Sequence, residues 1–294
     1  MTQFSQATGY PAGGQTHELT SDHAALVDGH VHIHAPFDLG TLLDHAAQNR
    51  DRAARSLGLS PDIPGVLMLT ESQGATAFLL AAKQPGRVAG RWQVQDTGEN
   101  LSLRMITEGA GPLVLVAGRQ IVTAERLEVL ALGTLAAFVD GQPILSALDK
   151  VLNTGALAVL PWGFGKWLGV RGRIIRDLLS SPLASRLFVG DNGGRLGSAP
   201  EPSLLSLARQ RGVPILPGTD PFPFPEQIRR PLGYGFVLAC APWGQTPAAS
   251  IKHALESQRA QPEVFGQRTG LAEFVRNQLA MQWHKRRARA GGVQ

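Results

Sequence analysis

The sequence predicts an α/β fold, a distorted TIM-like (β/α) barrel of about seven strands with a β-hairpin insertion near residues 90–133. Three observations lead there. Short apolar runs alternate with helical stretches from about Ala24 onward, the rhythm of βα units laid around a parallel sheet. At 294 residues the chain lies within the range of a single α/β barrel. Hydrophobic residues at 43% and charged residues at 17% supply a sizeable core and exclude a disordered polyelectrolyte.

Residues 1–23 are polar and lack both a basic start and an apolar run, so they read as a flexible N-terminal arm, neither signal peptide nor membrane anchor. The barrel is expected over residues 24–279. Residues 25–34 form its first strand, and residues 41–58 a helix with Thr41 as N-cap and Gly58 as its stop. Residues 65–70 (GVLMLT) are a buried strand and residues 75–83 a short helix. Between residues 90 and 133 the rhythm changes to four short runs separated by Asp96-Thr97-Gly98, Gly109-Ala110-Gly111 and Thr123-Ala124-Glu125, which suit antiparallel hairpins. The βα rhythm then resumes, with helices over residues 142–153, 171–179 and 202–210 and strands over 156–160, 186–190 and 213–217. Residues 280–294 form a basic tail.

That tail, with His284, Lys285, Arg286, Arg287 and Arg289, carries much of the net charge of +5. Cations suit the negative end of a helix, and no aromatic or glycine-rich motif accompanies them, so nucleic acid is not the expected partner. Cys240 is the only cysteine, which excludes an intrachain disulfide and any CxxC site and fits a reducing cytoplasm.

The chemistry-bearing signal is Asp28-Gly29-His30-Val31-His32-Ile33-His34. In a strand, side chains alternate faces, so Asp28, His30, His32 and His34 share one side while Val27, Val31 and Ile33 face the other. Two neutral imidazoles from one strand are a common beginning for a zinc, manganese or iron site. Exposed histidines at a polar strand end are the competing explanation, and the apolar strand running directly into them argues against it.

Barrel chemistry sits at the C-terminal ends of strands, which nominates the polar residues there. Asp220 follows Gly218 and reads as a terminal metal ligand, as the general base, or as a turn aspartate before Pro221. Asp191 is either a second catalytic carboxylate or part of the Asn192-Gly193-Gly194 turn. Glu71 is a ligand or a carboxylate at a helix N-terminus, and Glu128 is a further carboxylate from the hairpin region. Lys166 and Arg195, in glycine-rich loops, suit an anionic substrate group. Trp162 and Trp167 read as core residues.

In the order of these segments the chain resembles the PHP (polymerase and histidinol phosphatase) family, within the wider amidohydrolase-like barrels. LVDGHVHIH at residues 26–34 is similar to its first HxH motif, GVLMLTES at 65–72 to its strand ending in Thr-Asp-His, and VAGRQIVTAERLEVLAL at 116–132 to its Gly-x-Glu strand and the segment after it. Residues 155–163 match a strand that normally ends in His-Pro, residues 188–194 a Glu-x-x-Asn-Gly strand, and Gly218-Thr219-Asp220 the closing Asp-x-His. Several family ligands are replaced: Ser72, Gln120, Glu128 and Phe222 stand in their positions, Pro161-Trp162 replaces the middle His-Pro, and no histidine lies between His45 and His253. A trinuclear site is therefore excluded.

The resemblance implies a metal-dependent hydrolase of phosphoester bonds working with a reduced site. Its divalent ion (Zn, Mn or Fe) would be held by His30, His32 and Asp220 with Glu71 and Glu128. Asp220 and Asp191 would be the catalytic carboxylates, and Lys166 and Arg195 would hold a small phosphorylated substrate. The alternative is a PHP-like chain that has lost turnover and acts as a binding or scaffold protein. No membrane partner is expected, and no protein partner is indicated.

Overall fold

The computed structural model describes residues 24–83, 90–240 and 244–291, without side chains for residues 284–291, so the predicted arm lies outside the described residues and the cationic run of the tail is described in backbone alone. Among the described residues there are twelve strands and seven α-helices. They are β1 (Ala25–Val31), α1 (Leu39–Leu57), β2 (Gly65–Leu69), α2 (Ala77–Ala82), β3 (Gln93–Asp96), β4 (Ser102–Thr107), β5 (Ala110–Val116), β6 (Gly118–Val122), β7 (Glu128–Leu132) and α3 (Ile144–Asn153). There follow β8 (Leu157–Pro161), α4 (Val170–Ser180), β9 (Leu187–Asn192), α5 (Ser203–Gln210), β10 (Ile215–Gly218), β11 (Tyr234–Leu238), α6 (Pro247–Gln258), β12 (Glu263–Gly266) and α7 (Leu271–Gly291).

The closed barrel expected from the βα rhythm does not form. The strands make two separate sheets, one of seven in the order β12-β11-β1-β2-β5-β4-β3 and one of five in the order β10-β9-β8-β7-β6. The hairpin region is the reason. Instead of being inserted into a barrel wall, it builds both sheets: β5 pairs in parallel with β2 and carries β4 and β3 antiparallel beside it. The chain then crosses to the other sheet, where β6 and β7 form a hairpin and β7 pairs antiparallel with β8. Antiparallel neighbours of this kind extend a sheet outward to an edge.

Period-two alternation divides the apolar residues between three cores. Val66 and Met68 of β2, Val114 and Val116 of β5, Leu130 and Leu132 of β7 and Leu157 and Val159 of β8 face a shared interior between the sheets, closed by Ile251 and Leu255 of α6. The intervening Leu67, Leu69, Leu113 and Leu115 face α1. Val129, Ala131, Ala158 and Leu160 face α3, α4 and α5. Burial on both faces accounts for the unbroken apolar runs of the central strands. Helix α1 lays Leu42, Leu43, Ala46, Ala47, Ala53 and Ala54 on its sheet, and Gly58, at φ 68°, ends it. Its N-cap is Asp38 rather than Thr41: the Asp38 carboxylate accepts the Thr41 N–H at 2.8 Å, which places the helix start earlier than predicted.

Strand β1 also differs from its reading. It ends at Val31, and its pairing with β2 slips by one residue between Asp28 and Val31. Such a bulge breaks strict alternation, so Asp28 parts company with the histidines. Its carboxylate is fully buried and accepts the Thr219 N–H (2.8 Å), the Thr219 hydroxyl (2.6 Å), the Leu232 N–H (2.9 Å) and the His30 N–H (3.3 Å). Burial pushes the Asp28 carboxyl up to about 6, and those hydrogen bonds oppose the rise, so it is ionised at neutral pH. Leu232 holds a left-handed φ of 59°, costly for leucine, with its N–H bonded to this carboxylate. Replacing Asp28 with Ala strands these donors in the core and should destabilise the protein by about 3 kcal/mol, read as a lowered urea midpoint at pH 7. A midpoint unchanged from wild type would show that the carboxylate does not join the sheets.

Candidate metal centre

The end of β1 carries His30, and the residue just beyond the strand His32, to the seam where β1 meets the end of β10. Glycine is required on both sides of that seam. A Cβ on Gly218 would lie 2.4 Å from the His30 nitrogen, and one on Gly29 would lie 2.9 Å from the Pro217 carbonyl oxygen. The close approach lets the Asp220 N–H donate to the His30 carbonyl at 2.8 Å. Asp220 adopts φ 45°, a left-handed conformation that aspartate tolerates better than most residues, and this turns its side chain toward the imidazoles.

His30 Nε2 lies 3.1 Å from His32 Nε2, and Asp220 Oδ1 lies 3.4 Å from the first and 3.5 Å from the second. Among the described residues these three form the group of His, Cys, Asp or Glu side chains spaced to hold an ion. Both histidines are buried, and the Asp220 side chain is 21% exposed. Around them, the Asn192 amide at the end of β9 donates to Asp220 Oδ2, leaving Oδ1 facing the histidines. The Asn192 carbonyl is itself fixed by the Gly194 N–H at 2.6 Å. Gln120, on β6, hydrogen-bonds His32 through its side chain. His34 stacks on His32 and bonds the Pro221 carbonyl oxygen at 2.8 Å, outside the ligand group.

The other predicted site residues are placed elsewhere or otherwise occupied. Glu71 accepts the Phe78 N–H at the start of α2 (2.8 Å) and pairs with Arg119 (2.6 Å). Asp191 forms two 2.8 Å bonds with Arg195 and accepts the Tyr234 hydroxyl at 2.7 Å. Arg195 is thereby buried against Asp191 rather than presented to a ligand. Glu128 is ion-paired with Lys166. Asn192, read in the sequence as a turn residue, is the neighbour that mattered. Alternation at the end of a strand sends it to the face opposite Asp191, and that rule was the available signal.

This chain has the fold of a solved protein. It superposes on the crystal structure of PsfC from Pseudomonas syringae PB-5123 with a TM-score of 0.51 and 16% identity, covering 90% of this chain and 99% of that one. A second structure, the lesion-specific endonuclease PfuEndoQ from Pyrococcus furiosus, matches with a TM-score of 0.46 and 10% identity over 82% of this chain and 57% of that one, a likeness too low to carry inference. No family model and no curated protein matches.

Electrostatics keep the cluster ready for a cation. Burial, then the neighbouring His30, push His32 down to about 3, so it is a neutral imidazole with a free lone pair at pH 7. For Asp220, burial favours the protonated form, but the pull of His30, His32 and Lys166 and the Asn192 hydrogen bond together bring its carboxyl below the usual range. His34 is lowered by burial, with the Pro221 hydrogen bond opposing.

Two outcomes follow. Glu71→Ala should cost about 2 kcal/mol of stability while leaving divalent-ion affinity at the wild-type value, because Glu71 joins α2 to Arg119 and is no ligand. A large loss of ion affinity in a folded Glu71→Ala protein would reverse that assignment. In the metal-free protein, His32 stays neutral when folded but takes a proton below its ordinary value of 6.5 when unfolded. Its contribution is therefore present above pH 6.5 and lost as pH falls toward 3. Urea midpoints at pH 7.5 and pH 5 should fall further in wild type than in His32→Gln; equal falls would contradict it.

Proposed function

We propose that this chain is a metal-dependent hydrolase of phosphoester bonds, working with a single divalent ion held by His30, His32 and Asp220. One observation carries the reading. Ligand arms of about 2.0–2.1 Å in a tetrahedral site set ligand atoms about 3.3–3.4 Å apart, and the three separations here are 3.1, 3.4 and 3.5 Å. Two imidazole nitrogens and one carboxylate oxygen suit Zn, Mn or Fe, and three protein ligands leave a position open, the pattern of catalytic rather than structural sites. A bound ion would supply Lewis acidity, polarising a phosphoryl oxygen and acidifying water.

The chain's own residues then divide the work. His32 presents a neutral nitrogen beside that of His30, and Asn192 fixes the Asp220 carboxylate so that one oxygen faces both rings. Lys166 adds positive charge near Asp220, which suits a small anionic substrate such as a phosphoester. No helix among the described residues is long and apolar enough to cross a membrane. We place the protein in the cytoplasm on the strength of its lone cysteine.

The pairing of Glu71, Glu128 and Asp191 with cationic side chains favours a second reading, a binding or scaffold protein without turnover, because it leaves three ligands among the described residues and none of these three carboxylates unpaired to act as a base. Metal analysis and calorimetry should find one ion per chain in wild type, with affinity reduced on the order of 100-fold or more by His30→Ala, His32→Ala or Asp220→Ala. Hydrolysis of generic phosphoesters with added Mn or Zn, abolished by the same changes, supports the enzyme. A bound ion without turnover selects the second reading, and no ion above background sinks the metal assignment.

A further inference from the structure

We propose that Lys166 and Glu128 form an oxyanion-binding subsite beside the metal centre, in which Glu128 holds the Lys166 ammonium away from Asp220 until a phosphate or carboxylate group of a ligand takes its place. The anion-binding half stands on its own geometry, and the half concerning Asp220 rests on the metal reading above.

The strand order puts the pieces together. β8 lies between β7 and β9. Because β7 runs antiparallel to β8, Glu128 at its start lies at the same edge as the end of β8. β9 is parallel to β8, and Asn192 at its end touches Asp220. Lys166, in the loop leaving β8, therefore stands between Glu128 on β7 and the end of β9, whose Asn192 holds Asp220. It pairs with Glu128.

The lysine is positioned rather than trailing in solvent. Its N–H bonds the Gly163 carbonyl at 2.9 Å, and its stem lies so close over Gly163 that a Cβ there would be 2.6 Å from the Lys166 Cδ. Its side chain is still 37% exposed, so a ligand can reach it. The pair also differs from the two other ion pairs that occupy predicted site carboxylates. Glu71 and Asp191 each have a second donor, the Phe78 N–H and the Tyr234 hydroxyl, and each carboxylate is buried. Among the described residues Glu128 has Lys166 as its partner and no other.

An ion pair whose lysine is partly exposed contributes little net stability, so exchanging the carboxylate of Glu128 for a ligand oxyanion replaces one charge-assisted bond with another at little cost. Released from Glu128 without such a ligand, the ammonium would neutralise Asp220 and compete with a divalent ion for it.

Calorimetry on the full chain tests both halves, with inorganic phosphate and with the divalent ion each titrated alone. Circular dichroism and melting confirm folding of every variant. Metal-free wild type should bind phosphate, Lys166→Met should weaken that binding about tenfold or more, and Lys166→Arg should restore it. Arg209→Met, which removes a cation from an exposed pair elsewhere, should leave it unchanged. Glu128→Gln should tighten phosphate binding and weaken the divalent ion several-fold, and the double variant Lys166→Met with Glu128→Gln should recover ion affinity. Phosphate affinity indifferent to Lys166→Met overturns the subsite. Ion affinity indifferent to Glu128→Gln overturns the role of Glu128. A wild type that binds phosphate but no ion defeats the metal reading and leaves the subsite standing.

Discussion

The molecule turns on one buried carboxylate. Asp28 ties the bulged end of β1 to the Leu232 turn before β11, its partner strand, and to Thr219 beyond β10, a strand of the other sheet with which β1 shares no backbone ladder. Because the histidines belong to one sheet and Asp220 follows a strand of the other, the distances among the ligand atoms depend on this tie. The tight glycine contact at Gly29 and Gly218 has the same purpose, since a side chain on either would push the two strands apart. A carboxylate surrounded by four donors suits this position better than an apolar residue, because it sets direction as well as proximity.

Much of the secondary structure was legible because the apolar runs are long and their caps clear. Gly58 stops α1 as read, and the runs that became β2, β8 and β9 stand close to where the pattern placed them. The two sheets were not legible. Whether a hairpin is inserted into a wall or forms the wall depends on pairings between distant strands, such as β2 with β5, and nothing local specifies them. β11, α6 and β12 were likewise not distinguished in the sequence, and β11 and β12 complete one edge of the larger sheet.

The site was legible in part for a similar reason. His30, His32 and Asp220 could be named because their residue types and strand-end positions are informative alone. The roles of Glu71, Asp191 and Asp28 could not, because a carboxylate's role is decided by what faces it across the fold. Arg119, Arg195 and Thr219 come from segments far away in sequence or on the far side of a turn. Each of these acids satisfies a neighbouring donor instead of reaching for a cation from solution. The outcome is a small site within a ring of internally neutralised charge.

The seam between β1 and β10 has a mechanical consequence. Its three ligand atoms straddle two bodies of structure that otherwise meet through side chains and single backbone bonds, so their triangle works as a strain gauge for the join. An ion seated there would act as a cross-link, stiffening a boundary that a continuous ladder would have made rigid without it. Slow opening of the molecule should then begin along this line, and occupancy of the triangle would set how often it opens.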